Sequence, residues 1–204
     1  MELNEYLHTH FPGLCLRPSI YHQWETGIHI ELGEGMYQFS DSFQLNLAMF
    51  DRVYRQVLST FHSLFSEQDD ILLVTNVYHR AGDEKKKIRA TKVYDRYLKN
   101  RDVRFQLRRE TLPFVFDEEE GDRFYTSRFY LKCKKRDIHS LLLLKAICNE
   151  DFSLHPKLGG QYGSYYPDVF FINTITNVIF FIYDDRGCEV IAKEKEAIMQ
   201  LNKN

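Results

Sequence analysis

The chain has 204 residues, of which 44% are hydrophobic and 27% charged, with 27 Lys+Arg against 29 Asp+Glu. These proportions exclude a disordered or fibrous protein, and the length suits a domain with its own core. No apolar run approaches the ~20 residues of a membrane helix, and the first residues lack the basic and apolar regions of a signal peptide. The four Cys residues form no CxxC motif, which is typical of a reduced, cytoplasmic protein.

Hydrophobic periodicity predicts the elements, because alternation indicates strands and three- to four-residue spacing indicates helices. In chain order we expect a helix at 3–10, a strand at 21–32 with Gly27 as a bulge, a helix at 44–66, a strand at 70–78, a helix at 90–99, strands at 103–107 and 124–134, a helix after Asp137, strands at 169–173, 178–183 and 189–192, and a terminal helix at 193–201. Loops are expected at 117–122 and 153–166.

This order of elements predicts an α+β fold, because helices and strands do not alternate as in βαβ units. We expect a mainly antiparallel or mixed sheet, with a long amphipathic helix and several shorter helices packed on it. One domain should span residues 1–204. A subdivision into a helix and strand part at 1–79 and a sheet-rich part at 80–204 stays open.

Charge is unevenly distributed along the chain. Residues 1–79 carry 3 Lys or Arg and 10 Asp or Glu, residues 80–136 carry 18 and 10, and residues 137–204 carry 6 and 9. Two interpretations compete for the cationic middle third. Its basic groups either pair with acidic elements of the same chain, or they attract an anionic partner.

The second interpretation requires a shared cationic face. If strands 103–107 and 124–134 pair, alternation places five polar side chains on one side of the sheet: Arg104, Arg108, Arg128, Tyr130 and Lys132. Guanidinium groups bind carboxylate or phosphate bidentately, and tyrosine adds contact area at a low entropic cost. We therefore take these five as candidate binding residues, although such residues can also simply guard a sheet edge.

Asp184-Asp185-Arg186-Gly187 lies between two predicted strands. Acidic and glycine residues in these positions are typical of a four-residue turn in which glycine takes a positive φ. A carboxylate pair for metal binding or acid–base chemistry is the alternative, but the spacing identifies no further ligand or base.

Several segments near both ends resemble a known family. They are 11–14 (FPGL), 21–28 (YHQWETGI), 145–152 (KAICNEDF), 166–173 (YPDVFFIN) and 182–192 (IYDDRGCEVIA). Together they are similar to DUF3885, an uncharacterised bacterial family. From these motifs Trp24, Glu25, Asp184, Asp185 and Arg186 join the candidate binding residues.

The resemblance implies no established activity. It does imply a place among small bacterial proteins encoded beside secreted-toxin genes, many of which look like immunity proteins. We therefore expect a non-catalytic, cytoplasmic protein-binding module, an immunity-type inhibitor of a protein toxin, with no cofactor, metal or membrane partner. Nucleic-acid binding by residues 80–136 is the alternative, and a hydrolase using Asp184 and Asp185 is a weaker one. The oligomeric state stays open.

Overall fold

The computed structural model describes residues 2–82, 92–116, 123–158 and 166–203. Within these ranges, seven strands form one antiparallel sheet in the order β1-β7-β6-β5-β2-β4-β3. The strands are β1 (Ile28–Glu31), β2 (Asp70–Arg80), β3 (Arg108–Pro113), β4 (Phe124–Lys134), β5 (Asp168–Asn173), β6 (Val178–Asp184) and β7 (Gly187–Ala192). The helices are α1 (Leu3–His10), α2 (Leu47–Leu64), α3 (Lys92–Tyr97) and α4 (Ser140–Cys148), with 3₁₀ helices at Ile20–Gln23, Asp102–Gln106, Lys135–Asp137 and Lys195–Lys203. The expected α+β fold is confirmed.

Helices α2, α3 and α4 cover one face of the sheet. The buried side chains of α2 recur every three or four residues, which gives the helix one apolar side: Phe50, Val53, Val57, Phe61 and Leu64. Asn46 caps this helix, since its side chain accepts a hydrogen bond from the Met49 amide at 3.3 Å. At the centre of the layer, the Phe61 ring packs against Phe171 of β5 at 5.1 Å between centroids.

The N-terminal segment covers the opposite face. Leu3, Tyr6 and Leu7 of α1, followed by Phe11, Leu16 and Ile20, are buried against β2, β5, β6 and β7. The Tyr6 hydroxyl donates to the Asn177 side chain at 2.8 Å, which ties α1 to the turn between β5 and β6. With both faces covered, the central strands are nearly continuous apolar runs, and β7 is buried along its whole length.

The predicted strand at 103–107 is wrong. These residues belong to the 3₁₀ helix Asp102–Gln106 and its cap, and β3 begins only at Arg108. The Asn100 side chain accepts from the Asp102 amide at 2.9 Å and so favours a turn there. Phe105 is 91% exposed, whereas Val103 and Leu107 are partly buried against the core, so the three apolar residues do not share one face as they would in a strand.

The predicted strand at 21–32 is right only for its last residues. A 3₁₀ helix occupies Ile20–Gln23, and β1 spans Ile28–Glu31. Gly27 is not a bulge: its amide donates to the Trp24 carbonyl at 3.0 Å, in a turn. A Cβ atom added to it would lie 2.1 Å from the Tyr21 carbonyl oxygen, so this close backbone approach requires glycine.

The other predicted elements are present with shifted ends. The helix after Asp137 starts at Ser140, and the terminal helix is of 3₁₀ type over Lys195–Lys203. The predicted loop at 117–122 and half of the loop at 153–166, namely 159–165, lie outside the described residues. Strands β1 and β2 from residues 1–79 share one sheet with the strands of residues 80–204.

Candidate functional site

The predicted cationic face is largely closed by the N-terminus of the chain. Arg108 and Tyr130 lie opposite each other on β3 and β4. Arg108 forms an ion pair with Glu2, and the Tyr130 hydroxyl donates to the same carboxylate at 2.7 Å. Tyr130 is buried, and burial is the main cause of its raised pKa. Its hydroxyl is therefore a neutral donor to Glu2.

The remaining basic candidates are distributed over different surroundings. Arg128 is buried, and its Nε donates to the Asn76 side chain at 3.0 Å. Lys132 is exposed but lies 2.8 Å from the Asp70 carboxylate. Arg104 belongs to a 3₁₀ helix rather than the sheet and pairs with Asp95 at 3.0 Å.

The expectation that these five side chains share one open face is therefore wrong. A buried strand residue cannot present its guanidinium on an outer surface, and three of the others have intrachain carboxylate partners. Each exposed ion pair contributes only about 0–1 kcal/mol, so these pairs say little about stability. They do show that internal pairing accounts for much of the described cationic segment, while the binding role of these residues stays a prediction.

The Asp184-Asp185-Arg186-Gly187 segment forms the turn between β6 and β7. Asp184 accepts hydrogen bonds from the Arg186 amide at 2.7 Å and from its guanidinium Nε at 2.9 Å. Gly187 does not have a positive φ; a Cβ there would lie 2.1 Å from the Tyr183 hydroxyl oxygen, so glycine makes room for that ring.

The two aspartates of this turn have separate partners. The buried Asp185 accepts from the Gln38 side chain at 3.0 Å, and burial raises its pKa, with the charge of Asp184 acting in the same direction. Among the residues that the structure describes, no group of three or more His, Cys, Asp or Glu side chains could hold a metal ion. The segment 184–187 is therefore a turn that the hydrogen bond between Asp185 and Gln38 holds in place.

Trp24 and Glu25 differ in their surroundings. Trp24 is half-buried: its ring packs on Phe11 at 5.1 Å, and its Nε1 donates to the Ala192 carbonyl at 2.8 Å. Glu25 is exposed in the following turn. The geometry of Trp24 therefore fastens the N-terminal segment to β7.

A surface that sequence reasoning missed lies between β1 and α2. Tyr37 is 81% exposed, Phe39 52%, Phe43 91% and Leu47 60%. Three of them belong to a short hairpin, in which the Ser40 amide donates to the Gln44 carbonyl at 2.8 Å and the Asn46 amide to the Gln38 carbonyl at 2.8 Å. These aromatic side chains therefore project from a hydrogen-bonded loop.

Further contacts attach this hairpin to the body of the protein. Gln38 reaches Asp185, as described above, and the Asn46 side chain donates to the Tyr37 carbonyl at 3.1 Å. The Phe39 ring lies 6.0 Å from that of Phe152, which in turn packs edge-on against Phe50 of α2 at 4.9 Å. The exposed rings are thus held by the core beneath them.

Acidic residues accompany these rings in the sequence. Residues 31–51 contain four Asp or Glu and no Lys, Arg or His. All four of them, Glu31, Glu34, Asp41 and Asp51, are exposed, but Asp51 lines a second cavity together with Arg55 and Lys145. We call Glu34, Tyr37, Phe39, Asp41, Phe43 and Leu47 the acidic–aromatic patch. Its sequence signal was the presence of apolar residues that fit neither a helical nor a strand period.

Comparisons with known proteins identify the family of this chain. A family model described as a domain of unknown function (DUF3885) matches residues 3–204. A curated relative, the uncharacterized protein YnaE of Bacillus subtilis (strain 168), is 47% identical over 201 residues, which cover 98% of this chain and 93% of the relative. No solved structure matches the chain significantly. No helix among the described residues is long and apolar enough to cross a membrane.

Proposed function

The chain belongs to the bacterial DUF3885 family of unknown function, and on that premise we propose that it is a non-catalytic protein-binding module whose acidic–aromatic patch docks a basic protein partner. The observation that carries this proposal is the exposure of Tyr37, Phe39 and Phe43 on one anchored hairpin. Aromatic residues supply much of the energy of protein interfaces, and contiguous exposed apolar patches often mark them.

The backbone of Phe43 explains how the hairpin presents this ring. Its φ is +59°, in the left-handed region that bulky residues rarely adopt. The hairpin requires that conformation, because the Phe43 amide donates to the Ser40 carbonyl at 2.9 Å and the Ser40 amide donates to the Gln44 carbonyl at 2.8 Å. The turn therefore fixes the backbone at residue 43, while the ring itself is 91% exposed and available to a partner.

Charge determines the kind of partner that suits this patch. The exposed carboxylates at residues 34 and 41 accompany the aromatic residues in the sequence, and no Lys, Arg or His falls between residues 31 and 51. Complementary charges accelerate association and disfavour the wrong partners. We therefore assign a protein with a positively charged binding face as the occupant.

The finer form of the proposal is an immunity-type inhibitor that blocks a basic bacterial toxin in the cytoplasm. Blockade of this kind needs a fixed surface with aromatic anchors and no catalytic groups. The anchored hairpin fits that requirement, and the family resemblance favours it by analogy.

The test compares matched surface variants. Wild-type protein, the double variant Tyr37→Ser/Phe43→Asn and the control Phe105→Ser are used to capture partners from the native host, and the affinity of each captured protein is then measured by calorimetry. Phe105 is a suitable control because it is also 91% exposed but lies outside the patch. Asn at position 43 accepts the left-handed backbone, so the fold should be kept.

We expect the wild-type protein to capture a basic protein. Its affinity should fall at least about 10-fold in the double variant, because the loss of an aromatic anchor costs more than about 1.4 kcal/mol. Its affinity for the control variant should be unchanged. Equal affinity for wild type and double variant would overturn the patch assignment. For the finer form, the partner expressed alone should arrest growth and co-expression should restore it; a harmless partner would leave only the general binding function.

Nucleic-acid binding by residues 80–136 makes a different prediction. It would appear as binding to duplex DNA or RNA that falls steeply with added salt. The ion pairs of Arg104, Arg108 and Lys132 argue against it, because these charges already have protein partners. Binding at low salt that is lost in Arg108→Ala/Lys132→Ala would favour this alternative over the acidic–aromatic patch.

A further inference from the structure

A cavity of about 590 Å³ lies beneath the N-terminal segment, on the sheet face opposite α2. Its walls come from α1, from residues 11–17 and from residues 112–116, which continue β3. Much of the wall is apolar, with Leu7, Leu14, Phe114 and Phe116 among the lining side chains. This volume is within the range of pockets that hold small organic molecules, roughly 300–1,000 Å³.

The charged groups of the cavity are all basic. Arg17, Arg128 and His8 line it, and among the described residues no Asp or Glu does. Arg17 is held in place because its Nη1 donates to the Val115 carbonyl at 3.0 Å. The cavity therefore combines an apolar wall with a local positive charge.

Arg128 is the unusual member of this wall. It is only 5% exposed, and its Nε is fixed by Asn76, whose side chain also donates to the Leu16 carbonyl at 2.6 Å. Within the described ranges, its two Nη groups have no hydrogen-bond partner, and no carboxylate lies within ion-pair distance of the guanidinium. Glu110, opposite Arg128 in the strand register, accepts a hydrogen bond from Asn4 at 3.1 Å, while its other carboxylate oxygen is buried without a partner among the described residues. Its charge acts on Arg128 through space, but no hydrogen bond joins the two side chains.

A buried guanidinium with no hydrogen-bonded counter-charge is energetically expensive, because removing a charge from water costs several kcal/mol unless close partners replace the lost hydration. Burial lowers the pKa of Arg128, and the charge of Glu110 acts in the opposite direction. Arginine does not escape the cost of burial by losing its proton, since its pKa stays high. The free Nη groups of Arg128 in the cavity wall therefore point to a missing acceptor.

We propose that this cavity binds a small organic anion, a carboxylate or phosphate carried on an apolar body, with Arg128 as its bidentate anchor. Planar guanidinium forks match the two oxygens of such anions, and Arg17 adds a second positive charge at the cavity wall. The apolar body would lie against Phe114 and Phe116, whose rings pack together at 5.4 Å. This site is separate from the acidic–aromatic patch and does not depend on the function proposed for it.

The reactivity of Cys15 can report whether the cavity is occupied. Of the four free cysteines, Cys133, Cys148 and Cys188 are buried, whereas Cys15 is partly exposed and lines the cavity. A bound ligand should therefore slow alkylation of Cys15 by iodoacetamide. Peptide mass spectrometry measures that rate in the full, unmodified chain.

Three probes distinguish the ligand classes: 4-phenylbutanoate, phenyl phosphate and the neutral 4-phenylbutanamide. We expect saturable protection of Cys15 by at least one of the two anions, with an affinity at least about 10-fold above that of the amide. Stronger protection by the butanoate identifies a carboxylate ligand, and stronger protection by the phosphate identifies a phosphate ester. Absence of protection by either anion, or equal protection by the amide, would overturn the proposal.

Variants test the anchor. Arg128→Lys keeps the charge but loses the fork, and Arg17→Gln removes the second charge from a half-buried position with less risk to folding. Both should weaken anion binding, Arg128→Lys more than Arg17→Gln, while Arg108→Gln outside the cavity should not. If protection by the anion is equal in wild type and in both cavity variants, the anion is not held by these guanidiniums and the proposed site is wrong.

Discussion

The two faces of the sheet are covered by different kinds of structure, and each buries polar groups among apolar ones. Beneath the helices, the buried Lys135 donates to the Phe65 carbonyl at 2.6 Å, and the buried Asn173 donates to the Leu64 carbonyl at 3.0 Å. Beneath the N-terminal segment, the sheet buries Asn76, Arg128 and Glu189. Arg128 differs from the others because only its Nε has a hydrogen-bond partner among the described residues. The two faces therefore differ in how completely one buried charge is satisfied, and not in whether they bury polar groups.

Truncating the centre of the helical face should have the largest effect. Phe61 is fully buried and packs on Phe65 at 4.6 Å and on Phe171 at 5.1 Å. Phe61→Ala should lower the free energy of unfolding by about 3–5 kcal/mol, because it leaves a cavity in a close-packed layer. Urea denaturation measures this change, and a loss below about 1 kcal/mol would show that the layer is not close-packed around this ring.

Removing the side chain of Asn76, at the centre of the N-terminal face, should lower the free energy of unfolding by somewhat less than Phe61→Ala does. Asn76→Ala deprives the Arg128 Nε and the Leu16 carbonyl of their partners. We expect a loss of roughly 2–3 kcal/mol, since buried groups left without hydrogen bonds cost about 1–3 kcal/mol each. Arg80→Ala, which alters an exposed position on the same strand, is the control and should change the free energy of unfolding by no more than about 0.5 kcal/mol. A loss in Asn76→Ala as small as that of the control would show that these hydrogen bonds do not stabilise the fold.

The pH dependence of the free energy of unfolding tests a single buried carboxyl group, that of Asp168. Burial, with the charge of Glu189, raises the pKa of Asp168 from 3.8 to about 7, although the hydrogen bond from Tyr78 opposes this shift. The folded state therefore holds a proton that the unfolded state has released, so this group's contribution to stability falls as the pH rises from about 4 to 7.

Asp168→Asn should accordingly flatten the decline in stability over that interval, by roughly 1–2 kcal/mol after relaxation and water access reduce the full linkage value. Thermal melts of both proteins at pH 4, 5, 6 and 7 measure the difference. Glu25→Gln, which alters an exposed carboxylate, is the control. A constant offset between Asp168→Asn and wild type at every pH would contradict the assignment.

The smallest effect is expected at the exposed ion pair that closes the N-terminal face. Arg108→Ala removes the partner of Glu2, and both side chains are about half exposed, at 60% and 46%. Stability should change by no more than about 1 kcal/mol, and the change should shrink further at high salt. A loss of several kcal/mol would mean that this pair, rather than apolar packing, holds α1 in place.

The sequence was sufficient where its pattern matched one kind of burial. Helix α2 was predicted from its three- to four-residue period, and strands β2, β5, β6 and β7 from short apolar runs that are typical of strands buried on both faces. Alternation failed at 103–107, because a short 3₁₀ helix there also buries part of Val103 while it exposes Phe105. Local pattern alone does not show which of these a segment adopts.

The site could be predicted less well than the fold. That Arg128 is buried depends on a segment more than 100 residues earlier in the chain covering its strand, and no local pattern encodes this contact. The pairing of Glu2 with Arg108 and Tyr130 is equally remote in sequence. The aromatic residues of the acidic–aromatic patch fit neither a helical nor a strand period, which was their signal in the sequence. Hydrophobic periodicity detects buried faces and therefore does not identify exposed rings.

The strand order also has a consequence for how the chain reaches its native state. Among the described residues, strand β1 pairs only with β7, whose residues lie about 160 positions downstream. The segment before β1 packs on β2 and β4 as well, and the cavity wall includes residues 112–116, about 100 positions downstream. Such long-range closure is slow compared with helix formation. During synthesis the basic cavity should therefore assemble after α2 has formed, and the pairing of β1 with β7 should come last.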